Sequence, residues 1–149
     1  MSDPMLFPLM GRHEGGTTIS ALIRAHDMQD GLTELDSGAG PLIVPLVAAP
    51  AGTLVRVHVR ARDVMIALTR PEGLSALNVL AGIVTEIGAT DAPFVDVRLQ
   101  AGPETILARI TRRSFQTLRL EPGRQVFAVL KSAAIARRDL TLLGPPQER

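Results

Sequence analysis

The sequence predicts an all-β protein built from two small barrels in tandem, the second with a short helix before its last strand. Short apolar stretches separated by glycine and proline turns predict strands and not long helices. Residues 54–62 alternate strictly between apolar and basic positions, which is typical of a half-buried strand. A second series of such stretches begins near residue 74, which indicates that the architecture is repeated.

The composition limits the functions that the chain can have. Its 149 residues are 46% hydrophobic but only 3% aromatic, so the core must be aliphatic and base stacking is disfavoured. A net charge of +1 gives no general attraction to polyanions, and the absence of cysteine excludes disulfides and thiolate metal sites. No apolar run approaches the roughly 18 residues of a membrane span, and we expect a cytoplasmic protein.

The first half follows an irregular lead-in or linker, residues 1–16, in which proline and glycine break every period. Its predicted strands are residues 17–26, 32–35, 42–46 and 54–62, followed by an apolar continuation at 64–68. Pro45 cannot donate a ladder hydrogen bond, so the third of these is expected at a sheet edge. Together these segments make a first subdomain, residues 17–69.

The second half, residues 75–135, has the same order of elements plus a helix. Its predicted strands are residues 80–87, 94–99 and 105–111 and a last one that runs into Lys131. The helix is expected to open with Ser114 as its N-cap and to stop at Pro122 and Gly123. Residues 136–149 are predicted to form a C-terminal tail.

The two halves align as an internal repeat. Residues 19–23 match residues 80–84 at an offset of 61, and Gly52 matches Gly123 at an offset of 71. In this register Arg60 corresponds to Lys131 and Ala61 to Ser132. Four or five short strands per half, with regular turns, are typical of small barrels of the OB type.

Lys131 is the centre of the candidate site. It is the only lysine, since the other basic residues are all arginine, and a lysine offers a compact charge where arginine offers a planar fork. Hydroxyl groups at Ser75, Thr111, Ser114 and Ser132 have no carboxylate beside them in sequence. A pocket made only of donors suits a fully deprotonated tetrahedral oxyanion, which can only accept hydrogen bonds.

Alternatives to this site are weaker. The basic face of residues 54–62, with Arg56, His58, Arg60 and Arg62, would follow a phosphate backbone in a nucleic-acid-binding barrel, but it is also typical of a solvated strand face. Without neighbouring aromatic residues we favour the second interpretation and expect no nucleic-acid partner. The chain has no phosphate-binding loop, no catalytic triad or carboxylate pair, and isolated histidines at positions 13, 26 and 58, so we expect neither catalysis nor a directly bound metal.

Three separated segments carry a family resemblance. Residues 74–80 (LSALNVL), 108–114 (ARITRRS) and 129–134 (VLKSAA) resemble the molbindin or transport-associated OB domain, which binds molybdate and tungstate. The resemblance implies that the oxyanion is the ligand, that no cofactor is needed, and that Asn78 shapes the first loop of the site. It implies these oxyanion contacts: Ser75, Thr111, Ser114, Lys131 and Ser132. Leu77 stands where the family often has arginine, which implies that a side-chain contact is lost there.

The first half resembles the accessory region of the ATP-binding subunit of molybdate ABC importers, through segments 26–27, 31–33 and 60–64 and the RPEG turn at 70–73. The resemblance implies a homodimer that binds oxyanion between subunits and restrains import when molybdate is plentiful. It also implies two partners in the parent protein, a nucleotide-binding domain and a membrane permease at the cytoplasmic face. The alternative is a free-standing molbindin-like protein for molybdate storage or sensing.

Overall fold

A computed structural model describes residues 15–146, which form two five-stranded antiparallel sheets and one short α-helix. The expectation for residues 1–16 therefore falls mostly outside the described residues. The elements are β1 Gly16–Asp27, β2 Leu32–Ser37, β3 Gly40–Pro45, β4 Thr53–Arg60, β5 Met65–Ala67, β6 Asn78–Ile87, β7 Phe94–Ala101, β8 Glu104–Thr111, α1 Arg112–Leu118, β9 Gln125–Leu130 and β10 Leu140–Pro146. The predicted all-β fold class is confirmed.

The first sheet has the strand order β10-β4-β1-β2-β3 and the second β5-β9-β6-β7-β8. Strand β3 lies at an edge, as Pro45 predicts, because proline has no N–H for a further ladder bond. Strand β4 ends at Arg60, two residues before the predicted end, where the chain enters a single 3-10 turn, Ala61–Asp63. No helix within residues 15–146 has the length and hydropathy of a membrane span.

The internal repeat is confirmed in atomic detail. Strand β1 has a bulge between Ile23 and Ala25, and β6 has one between Val84 and Glu86, which is the predicted offset of 61. The N–H of Gly52 donates to the carbonyl of Ile23 and that of Gly123 to the carbonyl of Val84, each at 2.7 Å.

These two glycines share a conformation that requires the residue type. Gly52 has φ 92 and Gly123 has φ 94, a region that side chains with a Cβ rarely adopt. The turn before the last barrel strand is therefore the same structure in both halves.

The two halves exchange strands, which the linear division into subdomains 17–69 and 75–135 did not predict. Strand β5 follows the first 3-10 turn in sequence but pairs with β9 in the second sheet. Strand β10 comes from the segment expected to be a tail, yet it pairs with β4 in the first sheet, with Leu140 opposite Val57. Each sheet is therefore completed by a strand from the other half.

The core is aliphatic and continuous through both halves. Leu35 and Leu42 on β2 and β3 and Leu99 and Ile106 on β7 and β8 are at most 2% exposed and belong to one buried cluster. Because alternate residues of a strand point to opposite faces, the regular alternation of each strand places its apolar side chains in this cluster. A shared core and exchanged strands make the two halves one folding unit.

Candidate functional site

Lys131 lies where β9 ends and a single 3-10 turn, Ser132–Ala134, begins. Its side chain is exposed, and no ion pair or hydrogen bond engages its ammonium group within the described part of the chain. It lines a groove of about 330 Å³. The other lining residues are Arg62, Asp63, Met65, Ala76, Val129, Ala133 and Ala134. Ser75, which is exposed, directly precedes Ala76 of this groove.

Strand exchange builds this groove. Met65 on β5 pairs with Val129 on β9 in an antiparallel ladder, so the residues before Met65 run beside the residues after Val129. The turn Ala61–Asp63 is thereby brought next to Lys131. The alternation of residues 54–62 predicted that Arg62 lies on the solvated face of a strand and gave no indication that it lines the groove. Only the pairing partner of β5 could have revealed it.

Asn78 and Ser132 converge on the backbone of Ile43 in the edge strand β3. The Asn78 Oδ1 accepts from the N–H of Ile43 at 2.7 Å, and its Nδ2 donates to the Ile43 carbonyl at 3.0 Å. The Ser132 hydroxyl donates to the same carbonyl at 2.6 Å. Asn78 is 1% exposed and Ser132 is 8% exposed. The single hydroxyl hydrogen of Ser132 is therefore used within the fold.

Thr111 and Ser114 form a second group of hydroxyls at the start of α1. Thr111 is the N-cap: its Oγ1 accepts from the N–H of Ser114 at 3.0 Å. The prediction that Ser114 is the N-cap is wrong, because the extended backbone of Thr111 places its own oxygen over the first turn. The Thr111 hydroxyl also donates to the Ser114 hydroxyl at 3.1 Å. The helix ends at Leu118, before the predicted stop at Pro122, because Arg119 adopts a left-handed conformation with φ 53.

The sheet register separates these two groups. Asn78 at the start of β6 pairs with Leu130, so Lys131 lies beyond the first residue of β6. At the other end of β6, Ile87 pairs with Val97, and Thr111 pairs with Phe94 still further along β7. One chain therefore brings Ser75, Asn78, Lys131 and Ser132 to one end of the second sheet and Thr111 and Ser114 to the other.

Exposed apolar side chains accompany each group. Met65, Leu74 and Leu77 are 56%, 40% and 51% exposed and lie in the groove or in the segment leading to Ser75 and Asn78. Phe94, the cross-strand partner of Thr111, is 57% exposed. A cluster of exposed apolar side chains, such as the one formed by Met65, Leu74 and Leu77, is more typical of an interaction surface than a single one such as Phe94.

The position in the first half that corresponds to Lys131 has a different environment. Arg60 donates to both carboxylate oxygens of Asp139, at 2.9 Å and 3.0 Å, and the side chains are 11% and 5% exposed. Asp139 also accepts from the N–H of Ala136 at 2.7 Å, and Arg60 lies 3.5 Å from Asp63 and from the carbonyl of Ala134. The basic face of β4 is therefore not a continuous exposed stripe.

Arg109, near Thr111, is also committed to a partner. Its Nε donates to Asp96 on the neighbouring strand at 2.8 Å, and this hydrogen bond raises the pKa of the guanidinium above its ordinary value, against the lowering effect of burial. In the part of the chain that the structure describes, no cluster of histidine and acidic residues could hold a metal ion. His26 instead bonds to Thr33 and to the carbonyl of Ala49, and His13 lies outside the described residues.

Residues 74–136 match the family model of the TOBE domain. This matched segment contains every predicted oxyanion ligand. The solved structure of a cytoplasmic molybdate-binding protein, ModG, with molybdate bound, superposes with a TM-score of 0.72 over 85% of this chain and 96% of that chain. At 23% sequence identity this likeness establishes the two-barrel fold.

Sequence similarity to known proteins extends beyond residues 74–136 to nearly the whole chain. It is 44% identical over 143 residues to the molybdenum import ATP-binding protein ModC of Mesorhizobium japonicum, which covers 96% of this chain and 38% of that protein. The ModC protein of Paramagnetospirillum magneticum is 41% identical over 94% of this chain and 39% of its own length. The similarity falls in the C-terminal part of these relatives, so the chain spans about two fifths of them.

Proposed function

We propose that this chain binds molybdate or tungstate and forms the regulatory part of the ATP-binding subunit of a molybdate importer. The observation that carries the proposal is Lys131: the only lysine of the chain lines an exposed groove between the end of β9 and the turn before β5. The relatives named for molybdenum import support the choice of ligand. Because the relatives extend well beyond this chain, ATP hydrolysis belongs in this proposal to their remaining part.

The chemistry of the predicted ligands fits an oxyanion without protons. The Lys131 ammonium and the hydroxyls of Ser75 and Ser114 can donate to the ligand, and charge-assisted hydrogen bonds of this kind are the strong ones. The Thr111 hydroxyl donates its hydrogen to the Ser114 hydroxyl, so in this proposal Thr111 orients the Ser114 donor. In this proposal Asn78 and Ser132 act mainly through Ile43. They fix the loop before β6 and the turn after Lys131, so that the donors keep their positions.

Two copies of the chain complete the site. A twofold axis would place the Thr111 group of one copy against the Lys131 group of the other, which gives two equivalent sites per dimer. The opposite placement of the two groups on the second sheet supports this arrangement. So do the exposed apolar residues at both groups, since the same contact would remove Phe94 and Leu77 from water.

Regulation follows from binding between copies. An oxyanion held by both subunits favours the dimer arrangement in which the two groups meet. The fused ATPase responds only if its conformational states differ in their affinity for that arrangement. In the parent subunit, which would lie at the cytoplasmic face beside a membrane permease, abundant molybdate would thereby restrain import.

A subunit-mixing experiment tests the shared site. Lys131→Ala and Ser114→Ala chains with different affinity tags would be coexpressed, and the heterodimer isolated and titrated with molybdate by calorimetry. Each variant homodimer should lose tight binding. The heterodimer should recover one site of wild-type affinity, because one of its two sites then contains both Lys131 and Ser114. A heterodimer that binds no better than the homodimers would contradict the shared site.

One observation favours a second candidate, a free-standing molybdate storage or sensing protein. The ModG chain, described as a cytoplasmic molybdate-binding protein, is matched over 96% of its length, so this architecture exists without an ATPase. The apparent mass of the native protein, detected in cell extract with an antibody to this chain, separates the candidates. A species much larger than 15.9 kDa supports the importer subunit, and one of about that mass supports the storage protein.

A further inference from the structure

We propose that the Asp63 carboxylate lowers the affinity of the Lys131 groove for oxyanions, so that the site fills only when the oxyanion is abundant. This inference rests on the proposed function and adds to it the residue that sets the concentration at which the site responds. The sequence predicted a site made only of donors. The structure places a carboxylate among the residues that line the same groove as the ammonium.

Strand exchange brings Asp63 to this groove. Asp63 is the last residue of the 3-10 turn that follows β4 and precedes β5, and β5 pairs with β9, which ends directly before Lys131. The two residues therefore line one groove of about 330 Å³, although they belong to different halves of the sequence. A groove of this volume is about one Debye length across, roughly 8 Å at physiological ionic strength, so salt only partly screens its charges from one another.

The negative charge of Asp63 is not cancelled by its neighbour. Its ion-pair partner within residues 15–146 is Arg60, whose Nη1 lies 3.5 Å from the carboxylate. The same guanidinium donates to both carboxylate oxygens of Asp139, at 2.9 Å and 3.0 Å, so one positive charge faces two carboxylates. The Asp63 side chain is 29% exposed and lines the groove, which places the excess negative charge there.

The sign of the effect follows from Coulomb's law. A carboxylate near a bound anion raises the free energy of the complex, because like charges repel, and the repulsion grows with the charge of the ligand. Removing the carboxylate changes the binding free energy in the same direction whatever the other charges contribute. Arg62 also lines the groove and has an interaction of its own, but it is present in every variant compared. Replacing Asp63 by the neutral residue of the same shape should therefore tighten oxyanion binding.

The test compares molybdate, which carries two negative charges, with perrhenate, a tetrahedral oxyanion of similar size that carries one. Calorimetric titrations would use the wild type, Asp63→Asn, Asp63→Glu and the control Asp36→Asn. Asp36 is exposed on β2, opposite Leu22 and Pro41, and is not among the residues that line the groove. Its substitution removes the same charge from the chain at a different place.

Asp63→Asn should bind molybdate about 3- to 10-fold more tightly than the wild type at low ionic strength. Because the repulsion is proportional to the charge of the ligand, the gain for perrhenate should be the square root of that factor, about 2- to 3-fold. Both gains should shrink at high salt, which screens the repulsion. Asp63→Glu should stay close to the wild type, and Asp36→Asn should match it for both ions. Damage to the fold would weaken binding, so it cannot produce these gains.

The outcomes that overturn the inference differ in what they leave standing. If Asp63→Asn binds molybdate no more tightly than the wild type while Lys131→Ala loses binding, Asp63 does not set the affinity and the proposed function is retained. If the gain is equal for molybdate and perrhenate, or is matched by Asp36→Asn, the charge of the groove is not its cause. A wild type that binds no molybdate removes the proposed function itself.

Discussion

The turn after β4 and the turn after β9 are the same structure used in two ways. Arg60 and Lys131 hold equivalent positions, each at the end of a barrel strand and before a single 3-10 turn. Arg60 is almost buried and paired with Asp139, whereas Lys131 projects into an exposed groove. One repeat unit uses its cation to hold the fold together, and the other presents its cation to the surroundings.

A single carboxylate accounts for much of this difference. Asp139 directly precedes β10, which pairs with β4 in the first sheet, and its carboxylate accepts a hydrogen bond from Arg60. The first half has no acidic residue in segment 64–69, so strand β5 brings no equivalent carboxylate to β9. The two copies of a repeated scaffold can therefore differ in whether the cation at one position is engaged internally or exposed.

Breaking the buried pair should have the largest effect on stability. Asp139→Asn leaves the Arg60 guanidinium nearly buried without its main counter-charge, and the loss of one partner of a buried pair costs about 3–5 kcal/mol of unfolding free energy. Urea denaturation measures this loss of unfolding free energy. The matched control is Glu86→Gln, which removes the more exposed Arg98–Glu86 pair and should cost about 0–1 kcal/mol. Equal effects would show that the Arg60 pair does not fix the first turn.

Core truncation in each half tests whether the halves are one folding unit. Leu35 and Leu99 pair with Ile23 and Val84 at equivalent sites and are both 0% exposed. Replacing either by alanine should cost about 2–5 kcal/mol, because a cavity forms in a core that both halves share.

Strand exchange and the continuous core predict one unfolding transition in calorimetry and in circular dichroism, shifted by either substitution. Two transitions, with only one shifted by each variant, would mean that the barrels fold separately.

The contacts to Ile43 should give a smaller, graded effect. Asn78→Ala leaves the N–H of Ile43 without its partner and should cost about 1–3 kcal/mol. Ser132→Ala should cost about 0.5–1.5 kcal/mol, because the Ile43 carbonyl keeps its bond from Asn78. Chemical denaturation of the two variants measures which one loses more unfolding free energy. A larger loss for Ser132→Ala would show that the serine, and not the asparagine, holds the edge strand.

The fold class and the repeat could be read from the sequence, because alternation of apolar residues and glycine turns are local signals. Gly52 and Gly123 identified the equivalent turns, and the aligned bulges bear out the offset between the halves. The exchange of β5 and β10 between the two sheets could not be predicted from the sequence. Strand β5 is only three residues long, and nothing in its sequence distinguishes a partner in one sheet from a partner in the other.

For the candidate site, the sequence singled out Lys131 as the only lysine, and the structure places it at an exposed groove. Its role in binding stays a prediction. The engagement of Asn78 and Ser132 with Ile43 spans 35 and 89 residues of sequence, so no local pattern could indicate it. Arg62 was missed for the same reason, since it reaches the groove through the pairing of β5 with β9.

The role of Lys131 in oxyanion binding is measured by calorimetric titration of the wild type and of Lys131→Ala with molybdate, with phosphate as the comparison ligand. The wild type should bind molybdate more tightly than phosphate, because phosphate keeps a proton near neutral pH and would favour a nearby acceptor. Lys131→Ala should lose about 10-fold or more in molybdate affinity while its thermal stability is unchanged. If Lys131→Ala binds molybdate with wild-type affinity, Lys131 is not a ligand and the proposed site is wrong.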